Sequence, residues 1–175
     1  KNYINLSKLL SKNAKKPNVL VVGAGKDTFG TKILSKNQFI NIIFSDVSFG
    51  LNTNIICDAH DLPFKDNSFD AIICQAVLEH VADPYKSVNE MYRVLKPKKF
   101  IYVETPFMQQ VHMAPYDFTR FTYLGHRRLF RRFKEIDSGI ACGPGMSLGW
   151  AYKYFLLSFF ESKILRKIIN AFTSF

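Results

Sequence analysis

Val19-Leu20-Val21-Val22-Gly23-Ala24-Gly25 is the stretch on which the fold turns. An apolar run this short, rich in β-branched residues and free of polar alternation, reads as a strand covered on both faces. Two glycines flanking Ala24 then allow a tight turn and a close approach of backbone to a ligand. Beyond the turn, Phe29, Ile33 and Leu34 repeat at helical spacing. Strand, turn and helix in that order form the opening unit of a parallel sheet.

The same pattern continues outward. Asn41-Ile42-Ile43-Phe44-Ser45 reads as a second strand ending at Asp46, and Asn54-Ile55-Ile56-Cys57 as a third ending at Asp58. Lys65-Asp66-Asn67-Ser68 has turn chemistry and leads into a fourth strand, Phe69–Cys74. Asp83-Pro84 predicts a helix start, with Asp as N-cap and Pro at the first position. Tyr85, Val88, Met91, Tyr92 and Leu95 would line its apolar face, Pro97 would stop it, and Phe100–Val103 would be a fifth strand. This alternation predicts an α/β fold: a doubly wound, mainly parallel sheet with helices on both faces. Such sheets bind ligands beyond the carboxyl ends of their strands.

After residue 106 the pattern changes. An aromatic and polar loop over 106–122, a short basic helix over 123–132 and a sixth strand over Phe133–Ala141 are expected. Residues 146–160 read as a helix. Residues 161–175 read as an amphipathic one, with Ile164, Leu165, Ile168, Ile169 and Phe172 opposite Lys163, Arg166 and Lys167. The chain is read as one domain over 1–175. Residues 17–135 form its core, and 136–175 hold the rest of the sixth strand and a helical extension.

Composition narrows the class. A chain of 175 residues that is 47% hydrophobic can bury a core and is not disordered. Charges interrupt every apolar stretch, so no membrane-spanning helix is expected. The N-terminus, Lys1-Asn2-Tyr3-Ile4, has neither an apolar leader core nor an initiator Met, from which a trimmed chain is expected. Cys57, Cys74 and Cys142 form no CxxC pair, which argues against a zinc knuckle or a disulfide framework and for a reducing cytoplasm. No metal ligands are assigned. The net charge of +10 resolves into +5 over residues 1–16, −2 over 17–119 and +7 over 120–175.

Four readings of the glycine turn compete. A dinucleotide fingerprint needs Gly at position 28, where Thr28 stands. A phosphate-cradling loop needs Gly at 20 and Ser or Thr at 27, where Leu20 and Asp27 stand. An adenosyl ligand without a pyrophosphate needs fewer glycines, and a plain tight turn needs no ligand. Asp46, 21 residues after Gly25, favours the adenosyl reading, because a carboxylate there can accept ribose hydroxyls. Its plainer role is a helix cap or a solvated loop acid.

At this point the residues resemble a known family. DAHDLPFKDNSFDAIICQAVLEHVADP (Asp58–Pro84) and EMYRVLKP (Glu90–Pro97), preceded in order by VLVVGAG (Val19–Gly25) and Asp46, are similar to the small class I S-adenosylmethionine-dependent methyltransferases. The resemblance covers roughly residues 17–135 and implies a Rossmann-like fold with S-adenosylmethionine as cofactor. It implies that Gly23, Ala24 and Gly25 pass under the methionine part, that Asp46 holds the ribose and that Val47 lies against the adenine. Asp58 would accept from the adenine amino group, with Ala59 at the ring edge. Gln75 would lie by the sulfonium. His80 falls in the leucine-glutamate-histidine string of Leu78-Glu79-His80, as a cofactor contact or as a packed histidine. Glu79 is expected to be exposed or paired with a base. The chain departs from the pattern at Val21-Val22, where the family carries an acid, at Lys26-Asp27, where a further glycine is usual, and at Lys98-Lys99, where Gly-Gly is common. The seventh strand that closes the family fold has no candidate after residue 141.

In-line methyl transfer asks the protein mainly to position donor and acceptor, with a base for a hydroxyl acceptor. His112 is the preferred base, since an imidazole titrates near neutrality. Tyr116, Asp117 and Arg120 are candidates to bind or orient the acceptor. The plainer alternative is a structural lid in which Asp117 pairs with Arg120. The run His126–Lys134 is basic, but a charge run carries no base-reading chemistry, so nucleic acid is disfavoured and Leu129, Phe130 and Phe133 are expected in the core. Residues 148–175 are candidates for peripheral membrane contact or a homodimer.

The reading is therefore an S-adenosylmethionine-dependent methyltransferase acting on a small-molecule, saccharide or lipid-linked acceptor, cytoplasmic or membrane-peripheral. The alternative is a non-catalytic adenosyl-binding or interaction module of the same fold.

Overall fold

A computed structural model describes residues 2–13, 15–25, 31, 34 and 37–173. Five parallel strands form one sheet: β1 (Asn18–Val22), β2 (Asn41–Asp46), β3 (Ile55–Ile56), β4 (Phe69–Gln75) and β5 (Leu95–Glu104), in the order β3-β2-β1-β4-β5. Around it lie α1 (Asn2–Asn13), α2 (Pro84–Val94), α3 (Tyr123–Leu129), α4 (Pro144–Ser158) and α5 (Lys163–Phe172). The α/β class and the parallel sheet agree with the sequence. Of the helix expected from Phe29, Ile33 and Leu34, only Leu34 lies among the described residues, and it is fully buried.

The two central strands are covered on both sides, as their apolar sequences require. On one face Val19 and Val21 of β1 and Ala71 and Ile73 of β4 meet Tyr3, Leu6 and Leu10 of α1. On the other, Leu20, Val22, Ile72 and Cys74 meet Val88, Met91 and Val94 of α2. Alternation along a strand sends successive side chains to opposite faces, so one apolar run supplies two cores. Each fully buried large aliphatic is worth about 1.5–3 kcal/mol.

α2 begins as expected. Asp83 Oδ1 accepts from the Lys86 N–H at 2.9 Å, with Pro84 in the first turn. It ends at Val94, so Leu95 belongs to β5, and its buried face is Ser87, Val88, Met91 and Val94 rather than one including Tyr85 and Tyr92, which are exposed. β5 starts five residues before the expected Phe100. Residues 96–99 bulge between the pairs Phe69↔Leu95 and Ala71↔Phe100. The bulge wraps Asp70: Lys96 Nζ lies 2.9 Å and Lys99 Nζ 3.2 Å from its carboxylate, which also accepts from Asn18 N–H at 3.1 Å. Lys98 holds φ +61°, so the turn keeps a left-handed conformation even without glycine.

The expected sixth strand, Phe133–Ala141, is not one. Phe133 packs against the core, but Glu135–Ala141 are exposed and pair with no strand. Glu135 is held instead by Arg127 of α3, at 2.6 and 2.7 Å through both guanidinium contacts. That pair ties the start of the segment to α3, while Ile140 and Ala141 at its end line a cavity with Tyr102 and Glu104 of β5. The basic run is likewise engaged within the chain: Arg132 stacks 3.8 Å over the Tyr92 ring and Arg127 4.5 Å over Tyr123. Leu129 is buried and Phe130 packs beside it. No helix among the described residues is long and apolar enough to cross a membrane.

Candidate active site

The carboxyl ends of β1, β2, β3 and β4 carry Gly23, Asp46, Cys57-Asp58 and Gln75 along one rim. β1 and β4 are neighbours, yet the chain leaves β1 toward β2 on the opposite side, so a crevice opens between them. Three backbone positions here take left-handed conformations, Gly25 (φ +64°) among them. Gly23 has φ +72°, and a Cβ on it would lie 2.1 Å from Val77 Cγ2. Ala76, directly after β4, has φ +52°. Strained backbone at a switch point is a signature of a functional rim.

Asp46 ties this rim together. Its Oδ2 accepts from Gly25 N–H at 2.8 Å, and its Oδ1 accepts from Ser48 N–H and Oγ, both at 2.9 Å. The N–H groups of Gly23 and Ala24 both donate to Ser45 O, at 2.9 and 3.0 Å. The glycine turn and the end of β2 are therefore one hydrogen-bonded unit. Oδ2 of Asp46 keeps one lone pair for a further donor, and Oδ1 can gain one if the Ser48 hydroxyl rotates away. Val47 beside it is exposed, and Ala59 is buried at the rim.

Asp58 Oδ1 accepts from His60 N–H at 2.8 Å and from His60 Nδ1 at 2.6 Å. The His60 backbone bond, opposed by partial burial and aided by the imidazole, holds the Asp58 carboxyl below its usual range. His60 Nε2 accepts from the Asp83 N–H at 3.0 Å, which fixes the tautomer and links β3 to the start of α2. Arg93 clasps the loop between them, donating to Leu62 O at 2.9 Å, Phe64 O at 2.7 Å and Asp66 at 2.8 Å.

Gln75 donates to Glu104 Oε2 at 2.7 Å and accepts from the Tyr3 hydroxyl. Tyr102 also donates to Glu104 and accepts from Asn2 at 2.8 Å. Burial, with the Glu104 charge, pushes the Tyr3 hydroxyl up to about 12. A cavity of about 370 Å³ lies here, lined by Asn2, Tyr3, Tyr102, Glu104, Ile140 and Ala141. Sequence reasoning missed this cluster, because residues 1–16 were distinguished only by their charge of +5.

The loop after β5 folds onto the turn after β4. Phe118 and Thr119 N–H donate to Glu79 O at 2.8 and 3.2 Å, and His80 Nδ1 donates to Tyr116 O at 2.5 Å. Asp117 accepts from His112 N–H at 2.6 Å and from Arg120 through both oxygens, at 2.5 and 2.8 Å. Arg120 also donates to Gln109 O, Gln110 O and Thr119 O, at 3.0–3.1 Å. All five guanidinium hydrogens thus serve the loop itself. The Arg120 pairing, then the His112 N–H, hold the Asp117 carboxyl far below its usual range. The structure gathers His112, Asp117 and Arg120 with His80, whose ring meets that of His112 at 4.8 Å. Tyr116 contributes its carbonyl, and its side chain is exposed.

Of the two expectations for Glu79, exposure fails, while its Oε1 does lie 3.8 Å from His80 Nε2. Glu79 is fully buried, and neither carboxylate oxygen has a hydrogen-bond partner among the described residues. Burial raises its pKa, against the nearby His112 and Arg120 charges.

Known proteins share the sequence pattern and the fold of this region. Residues 20–103 match the model of a methyltransferase domain. An uncharacterized protein of Methanocaldococcus jannaschii is 39% identical over 103 residues, 55% of this chain and 44% of its own length. A ubiquinone/menaquinone biosynthesis C-methyltransferase of Rickettsia prowazekii is 32% identical over 108 residues, 50% of this chain and 44% of its own. The chain thus spans under half the length of these relatives. A crystal structure of a SAM-dependent methyltransferase from Aquifex aeolicus shares the fold at 19% identity, with a TM-score of 0.55 over 72% of this chain and 77% of that one. Residues 20–103 thus match a methyltransferase domain, and the fold is the one seen in a SAM-dependent methyltransferase.

Proposed function

We propose that the protein transfers a methyl group from S-adenosylmethionine to a small-molecule, saccharide or lipid-linked acceptor. The observation that carries this reading is the unit formed by Gly23, Gly25 and Asp46 at the switch point, where a side chain on Gly23 would collide with Val77. Gly23, Ala24 and Gly25 would pass under the methionyl part, Asp46 would take a ribose hydroxyl on Oδ2, and Val47 and Ala59 would flank the adenine. Asp58 would accept from the adenine amino group through Oδ2, since both His60 contacts fall on Oδ1. Gln75 and His80 would stand at the methyl end. S-adenosylmethionine supplies an electrophilic methyl on a sulfonium.

His112 acts on the acceptor. Arg120 Nη2 approaches its Nδ1 at 3.3 Å but already donates both hydrogens, to Asp117 Oδ2 and Gln110 O. Nδ1 therefore carries the imidazole proton and gives it to Gln110 O at 3.1 Å. Nε2 is left with a lone pair to take the proton of an acceptor hydroxyl as the new bond to the methyl forms. Asp117 and Arg120 orient His112, and the exposed Tyr116 ring contacts the acceptor.

Among the three acceptor classes, the lipid-linked one is supported by α5. Ile164, Leu165, Ile168 and Phe172 are exposed beside Lys163 and Lys167, a pattern that suits an anionic lipid surface.

Calorimetry with S-adenosylmethionine and S-adenosylhomocysteine tests the reading, and heat from neither sinks it. Asp46→Ala is expected to weaken binding by about 1.5–3 kcal/mol, the worth of hydrogen bonds to a charged group. Unchanged affinity would remove Asp46 from the ribose site.

A further inference from the structure

We propose that Glu79, His80 and His112 form a binding site for a divalent transition-metal ion of the zinc class. One donor atom from each lies within 4.8 Å of the other two. The three come from two separate segments, the turn after β4 and the loop after β5, so only the docked loop assembles them.

Hydrogen bookkeeping points to a cation. His80 Nδ1 faces Tyr116 O, which can only accept, so Nδ1 holds the proton and Nε2 a lone pair. That Nε2 lies 3.8 Å from Glu79 Oε1. His112 Nδ1 likewise gives its proton to Gln110 O. Neither Nε2 makes a hydrogen bond among the described residues. Two imidazole lone pairs thus meet a fully buried carboxylate whose oxygens have no hydrogen-bond partner among the described residues. Arg120, the one guanidinium beside them, directs all five of its hydrogens elsewhere. A buried carboxylate left without donors is costly, and a bound cation removes that cost.

The surroundings match what a metal site needs. Metal-ligating histidines fix their orientation by donating the other ring N–H to a carbonyl or carboxylate, as both do here. Two imidazoles and one carboxylate select zinc, iron(II) or cobalt over magnesium or calcium, and leave open positions for water. At metal–ligand lengths of about 2.1 Å the donors would stand about 3.4 Å apart, within reach of small rotations of the histidine rings. Both rings are partly exposed, which gives an ion a way in.

The proposal bears on the function above, because His112 Nε2 cannot be ligand and base at once. An occupied site would block base action by His112. Binding itself needs neither cofactor nor acceptor, so it can fail while methyl transfer stands, and the reverse.

Cobalt(II) titration of the whole chain tests it, in a Cys142→Ser background that removes the exposed thiol. Visible d–d bands that zinc displaces are expected, with affinity lowered about tenfold or more in both Glu79→Gln and His112→Ala, since loss of even an outer-shell partner costs that much. Far-ultraviolet circular dichroism of each variant establishes that it is folded, and His80→Ala, the third ligand, takes the place of either one that is not. Absence of the bands overturns the proposal, and so do bands whose affinity is unchanged in a folded His112→Ala variant.

Discussion

Ile72 and Ile168 are the same residue in the same chain, and their surroundings are opposite. Ile72, in β4, is 0% exposed, whereas Ile168, in α5, is 46% exposed. β4 has β1 and β5 as hydrogen-bonded neighbours and helices on both faces. α5 packs on α4, and no described residue of either helix joins the two core clusters. Equal hydrophobicity therefore supports two functions: one region spends its apolar surface on folding, and the other presents it to the outside.

The sharpest way to break this comparison is to truncate the buried isoleucine. Ile72→Ala is expected to cost about 3–4 kcal/mol, lost transfer energy plus a cavity in a rigid sheet, read by urea unfolding. Next comes Gly23→Ala at about 3 kcal/mol, combining left-handed strain of about 1–2 kcal/mol with a clash against Val77. Val77→Ala in the same chain should return the steric part and leave the conformational part. If the double variant regains full stability, the φ of +72° carries no strain.

Asp70→Asn should cost about 2 kcal/mol, since its carboxylate holds the β5 bulge through Lys96 and Lys99. Burial opposes the charge of Asp70, but the Lys96 bond, the Asn18 N–H and Lys99 outweigh it, so the folded pKa is lowered. Its contribution is then present above the ordinary carboxylate pKa and fades as pH falls through the lower folded value. The gap between the wild-type and Asp70→Asn stabilities should be full at pH 7 and shrink below pH about 4. A gap independent of pH would mean that packing, and not charge, holds the bulge. Smallest is Ile168→Ser, expected within about 0.5 kcal/mol of wild type. A loss of the size seen for Ile72 would make α5 part of the core and end the comparison.

What could be read directly was local. The apolar run at Val19–Val22, the Gly23-Ala24-Gly25 turn and the Asp83-Pro84 cap each act through neighbours a few residues away, and each stands where it was expected. α1 also carries a local signal. Tyr3, Leu6 and Leu10 follow helical spacing, but five lysines over residues 1–16 mask that stripe in the charge pattern. The failed strand at Phe133–Ala141 had no such local signal, because the Arg127–Glu135 pair that holds the segment depends on where α3 ends.

Glu79 marks the boundary most clearly. Beside His80 in a turn, a glutamate reads as exposed or paired with a base, and only the loop after β5, folded back through Phe118 and Thr119, buries it. The sequence by itself determined the parallel sheet, the order of its rim residues and the match to a methyltransferase domain, because strand patterning and turn chemistry are short-range. Tertiary structure alone decided that Asp46 locks the glycine turn, that Arg120 is saturated by its own loop, and that Glu79 meets two histidines in the dark. Those outcomes depend on counting every donor and acceptor in three dimensions, and no spacing along the chain records that count.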